Sequence, residues 1–101
     1  MHARISWGKI QPGQWDAFED AFKKAVAGSG PQPGLRGRFL FRDTNDADAG
    51  FTLSLWDSEA EMSAYESSDT MQKEVLPAIE PFFTGEYTTT HVEARYSEDD
   101  S

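Results

Sequence analysis

Near the start of the chain, apolar and polar residues alternate with a period of two. Ala3, Ile5 and Trp7 fall on one side, and Arg4, Ser6 and Gly8 on the other, which predicts a strand with two unlike faces. The segment QPGQ breaks that strand and opens a helix. From about Gln14 to Ala27 the period becomes helical. Trp15, Phe18, Phe22, Ala25 and Val26 form one stripe, while Asp16, Glu19, Asp20, Lys23 and Lys24 mostly point elsewhere. Glycine and proline in GSGPQPG stop the helix. Alternation returns in LRGRFLFRD and in FTLSLW, and the polar connector TNDADAG between them is short enough for a hairpin. Ser58 and Glu61 form an S-x-x-E box that starts a second helix, which Ser68 and Asp69 interrupt. Met71, Val75, Leu76 and Ile79 mark a further helical segment, limited by Pro77 and Pro81. GEYTTTHVEAR, rich in threonine, reads as a fourth strand.

The order is β-α-β-β-α-β. Two βαβ units joined by a hairpin predict a ferredoxin-like α+β domain over residues 1–95, with a four-stranded antiparallel sheet in the order 4-1-3-2. Residues 96–101 read as an acidic, disordered tail. Helices on one side leave the other side of the sheet open. Strand parity, with no bulge, assigns to that open side Arg4, Ser6, Arg36, Arg38, Thr52, Ser54 and Trp56, and gives Leu53, Leu55 and Trp7 to the core. Face-to-face pairing of two such sheets would close a dimeric α+β barrel.

Composition narrows the functions. The 101 residues suit one small domain and include no cysteine, which excludes disulfides, thiolate metal sites and cysteine nucleophiles. With 18 acidic against 9 basic residues and a net charge of -9, neither nucleic acid nor an anionic membrane is an expected partner. No apolar run approaches the roughly 20 residues of a membrane span, and the first residues lack the apolar centre of a signal peptide, so a cytoplasmic location is expected. Four of the five arginines (Arg4, Arg36, Arg38, Arg42) share one parity on two strands. They read either as a cationic patch for a carboxylate or phenolate or as edge protection and ion pairs. His91 can act as a base near neutral pH or simply sit at a surface or interface. The loop DTNDADAG lacks the acidic residues of a calcium loop at its fifth and twelfth positions, where Ser54 stands at the latter, and no metal site is expected.

The run FTLSLWDSEAEMSAYESSDTM resembles the strand-helix signature of antibiotic biosynthesis monooxygenase domains, within the dimeric α+β barrel superfamily. A strand ending in Trp56, Ser58 two residues later, an acidic, alanine-containing helix and Ser68 carry the likeness. PGQWDAFEDAF and PGLRGRFLFRD are similar to that family's first helix and second strand, so the resemblance covers about residues 3–94. It implies a homodimer with a pocket in each subunit, between sheet and helices or in the barrel interior. Activities in the superfamily differ: cofactor-free oxidation of phenols to quinones, haem degradation and breakdown of small metabolites. Haem-degrading members place an asparagine, a tryptophan and a histidine at the positions of Ser6, Tyr65 and Val75. Valine cannot ligate iron, so neither haem nor another cofactor is expected. Quinone-forming members share Trp56, but their asparagine and tyrosine correspond to Thr52 and Met62.

The resemblance therefore implies a small cofactor-independent oxidoreductase acting on an aromatic or quinonoid metabolite. Trp56 and Met62 would form apolar walls, Thr52, Ser6, Arg4 and Arg38 the polar contacts, and His91 or Tyr65 the proton-transfer group. The alternative is a non-catalytic dimer of the same fold that binds a small anionic or aromatic ligand or is purely structural.

Overall fold

The computed structural model describes residues 1–98. Its elements are β1 (His2–Ile10), α1 (Trp15–Ser29), β2 (Leu35–Arg42), β3 (Ala49–Trp56), α2 (Glu59–Glu66), a π-helical turn (Thr70–Val75), α3 (Leu76–Ile79), a 3-10 turn (Glu80–Phe82) and β4 (Phe83–Glu93). The four strands form one antiparallel sheet in the order β2-β3-β1-β4, the order read from the sequence. Residues 94–98 carry no helix or strand, and 99–101 of the expected tail lie outside the described residues. Among the described residues no helix is long and apolar enough to cross a membrane.

The core forms because α1 lays its aromatic stripe against one face of the sheet. Trp15, Phe18 and Phe22 are buried together with Ile10 and Ile79. Phe18 is their hub, packed edge-on to Trp15 at 5.3 Å and to Phe82 at 6.2 Å between ring centroids, arrangements that aromatic quadrupoles favour. α2 begins where the sequence marks it. The Ser58 hydroxyl oxygen accepts from the Glu61 backbone N–H at 3.2 Å, and the same hydroxyl donates to Glu61 Oε1 at 2.9 Å. Ser58→Ala removes this cap, and the expected cost is about 1 kcal/mol, read as a lower thermal midpoint. Ser68 bridges the break after α2: its hydroxyl donates to the Tyr65 carbonyl, and its oxygen accepts from the Met71 N–H at 3.2 Å.

The hairpin loop between β2 and β3 consumes its own acidic groups. Asp43 and Asp46 accept from the N–H groups of Asn45 and Asp48, and Asp48 accepts from Gly13 N–H. The Lys9 ammonium, donating to Asp46, together with the Asp48 N–H, holds the Asp46 carboxyl below its ordinary range.

The assignment of faces requires correction. The rungs on one side run His91–Arg4–Ser54–Arg38, then Thr89–Ser6–Thr52–Leu40, then Tyr87–Gly8–Gly50–Arg42. This is the side the helices cover: Glu66 of α2 bonds His91, and Trp15 of α1 lies on Gly50. Apart from the bulge between Leu35 and Gly37, parity separates the two faces correctly but does not say which one receives the helices. The bare side is the apolar one, with Ile5, Trp7, Phe39, Phe41, Phe51, Leu53, Leu55 and Val92. Of these, Phe39, Phe41, Phe51 and Val92 are 38–48% exposed, and Phe39 and Phe41 stack at 5.8 Å. Trp7, expected in the core, belongs to this bare side, level with Phe51 and Thr88.

Candidate functional site

Large helix side chains standing over small strand side chains leave space between the layers. On β1 and β3 the middle rungs carry only Ser6, Gly8, Gly50 and Thr52. Above them stand Trp15 and Phe18 from α1, and Met71, Leu76 and Ile79 from the segment that follows α2. The result is a cavity of about 300 Å³ with an apolar roof and a polar floor, at the small end of the range for small-molecule sites. Gly50 sets its depth. A Cβ on Gly50 would come within 2.5 Å of Trp15 Cη2 and would also press on the Phe41 carbonyl oxygen. Gly50→Ala must therefore push Trp15 into the cavity or distort the sheet. The expected result is a loss of about 1–3 kcal/mol in chemical denaturation together with weaker ligand uptake.

The cavity takes in part of the set chosen from the sequence. Arg4, Ser6 and Thr52 line it. Ser6 and Thr89 share a hydrogen bond at 2.9 Å across β1 and β4, which places two hydroxyls side by side on the floor. Glu66, absent from the sequence-derived set, also lines the cavity. Its Oε1 lies 2.7 Å from His91 Nε2 and its Oε2 lies 3.7 Å from Arg4 Nε. His91 and Met62 face a second, open groove of about 780 Å³, bordered by His2 and by the carboxylates of Glu59, Glu66 and Glu93. Glu66 and Gln72 line both spaces and so form the partition between them.

Trp56 is not on the open side, and it does not line the cavity. It is 1% exposed, beneath α2, with its ring 5.1 Å from Tyr65 and its indole N–H donating to Ser54 Oγ at 2.9 Å. Tyr65 is occupied there as well: the Arg38 guanidinium lies 5.6 Å from its ring centroid and donates to its hydroxyl at 3.4 Å. The arginines do not form one patch. A bulge between Leu35 and Gly37 takes Arg36 out of register, and it pairs with Asp57 at 3.3 Å. Arg42 covers the Trp15 ring at 5.4 Å and donates to the Ala47 carbonyl. Of the four, only Arg4 lines the cavity.

Gly8, a glycine inside a strand read from the sequence, was the available signal for this space, since such a glycine often marks a close approach from another element, whereas Gly50 read as the end of the connector and joins β3 only in the structure. Glu66 left no such signal. It reads as one more solvated position on an acidic helix, and its partner His91 lies 25 residues further on.

The fold recurs in solved structures. A candidate antibiotic biosynthesis monooxygenase from Caulobacter crescentus CB15 superposes with a TM-score of 0.81 at 20% identity, over 94% of this chain and 90% of that one. A variant of SnoaB, a cofactor-independent oxygenase from Streptomyces nogalater, gives 0.79 at 14% identity, over 95% and 94% of the two chains. Rv0793 from Mycobacterium tuberculosis gives 0.75 at 12% identity, over 99% and 98%. At these identities the likeness is one of fold. No curated protein matches the sequence. The family model for the antibiotic biosynthesis monooxygenase domain, however, matches residues 2–75, from β1 through the π-helical turn that roofs the cavity, and the chain belongs to that family.

Proposed function

We propose that the chain is a homodimeric, cofactor-independent monooxygenase-like oxidoreductase whose cavity between sheet and helices takes a small aromatic or quinonoid metabolite. The observation that carries this reading is the cavity itself: an apolar roof suited to a flat ring system over a floor of hydroxyls and one guanidinium. Family membership and the cofactor-independent oxygenase among the structural relatives support the reaction class. The bare apolar face supports the dimer, because a monomer would leave it in water.

In such a reaction the substrate supplies the electrons. A base removes a proton from an activated phenolic CH2 compound, and the resulting anion passes one electron to O2. The substrate radical and superoxide join at carbon as a peroxide, which loses water to leave C=O. One oxygen atom ends in the product, and the other leaves as water with the two hydrogens. The contact of Glu66 with both the cavity and His91 favours a Glu66–His91 relay as proton acceptor. Tyr65, held under Arg38 beside Trp56, is less well placed for that role than the sequence suggested.

The test is oxygen uptake with hydroxylated naphthalenes and anthrones. One O2 consumed per molecule oxidised is expected, and His91→Ala should slow turnover by about 100-fold or more. A second reading, a ligand-binding dimer without chemistry, is favoured by the placement of Trp56 and Tyr65 outside the cavity. Saturable binding of these compounds without oxygen uptake would establish it and overturn the oxygenase reading.

A further inference from the structure

Among the described residues, one buried side-chain nitrogen has no hydrogen-bond partner, and it is Nε of Arg4, a residue that lines the cavity and whose Nε stays covered beside Glu66. An unsatisfied charged donor in a region of low dielectric is costly, and native structures keep few of them. Its nearest acidic oxygen, Glu66 Oε2, stands at 3.7 Å, close enough to neutralise the charge but too far to accept the hydrogen bond. The other oxygen of Glu66 is already committed to His91 at 2.7 Å. Glu66 is thus shared between two cationic or proton-bearing partners and fully satisfies only one.

Resting on the aromatic-pocket reading above, we propose that the substrate is an aromatic carboxylate whose anionic end binds Arg4 in place of Glu66. The edge of the guanidinium that carries Nε is planar and has parallel N–H groups, so a carboxylate fits it with two oxygens where a phenolate offers one. The Ser6–Thr89 hydroxyl pair lies on the next rung of the same face, within the same cavity, and supplies further polar contact beside the acid. The ring system extends from there beneath Trp15, Phe18 and Ile79. When the carboxylate arrives, Glu66 gives up Arg4 and keeps His91, so occupancy of the acid subsite also sets the charge environment of His91. The rest of the surface disfavours this ligand class, since the chain carries a net charge of -9. An acid would therefore find its recognition at this one guanidinium and not through general attraction.

Calorimetric titration of the intact chain with 2-naphthoate and with its neutral isostere 2-naphthamide tests the assignment. The acid should bind about 10-fold or more tightly than the amide, the scale of one charge-assisted hydrogen bond. In Arg4→Met that preference should vanish while amide binding persists, which shows that the variant remains folded. In Glu66→Gln, which keeps an acceptor for His91 but removes the competing charge, the acid should gain about 3- to 10-fold and the amide should not change. Equal binding of acid and amide to the native chain, a preference that survives in Arg4→Met, or weaker acid binding in Glu66→Gln would each overturn the acid subsite while leaving the aromatic pocket standing. Failure of both probes to bind would overturn the pocket reading as well.

Discussion

Trp56→Ala lowers stability by about 3–5 kcal/mol, the range for removing a fully buried large aromatic side chain. The residue is 1% exposed, stacks on Tyr65 and satisfies its indole N–H on Ser54, so truncation opens a void under α2 and strands a hydroxyl. For a domain of this length each kcal/mol shifts the thermal midpoint by about 4–8 °C, so a loss of about 12 °C or more is expected in a melting curve. Trp56→Phe keeps the ring contact and loses only the indole donor, and it should cost about 1–2 kcal/mol. Because Trp56 does not line the cavity, Trp56→Phe should leave the affinity for aromatic ligands within about twofold. A pocket-wall tryptophan would behave in the opposite way, with a small change in stability and a large one in binding.

Leu53→Asp is expected to convert the proposed homodimer to a monomer. Leu53 sits at the centre of the bare face, with Ile5 on one side and Phe39 on the other. Covering that face by a second copy removes a row of apolar side chains from water, with each well-buried one contributing on the order of 1.5–3 kcal/mol. A carboxylate at the middle of such a contact is repeated by symmetry, and Arg4, Arg38 and Arg42 lie on the opposite, helix-covered side. Sedimentation of the native chain should give twice the 11.3 kDa chain mass, and the variant should give the single-chain mass with its secondary structure retained. A native chain that sediments as a monomer at micromolar concentration would remove the basis for this prediction.

The order of elements was legible because each carries its own period: two for the strands, 3.6 for the Trp15/Phe18/Phe22 stripe, with proline, glycine and the Ser58 box at the joints. The orientation of the sheet was not. A strand with Leu53 and Leu55 on one side and Thr52 and Ser54 on the other reads the same whether helices or a second chain cover the apolar side. The usual expectation, apolar side toward helices, fails here because the helix-covered face must leave a cavity, and so carries serine, threonine and glycine. The misplacement of Trp56 follows from the same inversion. Its parity with Ser54 was read correctly, but that side proved to be the interior. The bulge at Arg36 could not be read from alternation alone, and it removed one arginine from the apparent cationic set. The contact of Glu66 with His91 joins α2 to β4, which no local pattern encodes.

On the proposed function, a small aromatic molecule binds on the helix-covered face of the sheet. The most direct measurement is a map of backbone amide chemical-shift changes during titration with 2-naphthamide, a probe independent of the acid subsite. Saturable shifts are expected at Ser6, Gly8, Gly50, Thr52, Thr89 and Met71, which surround the cavity. Shifts centred on Phe39, Phe41 and Leu53 of the bare face, or no movement of any of these amides, would contradict that placement.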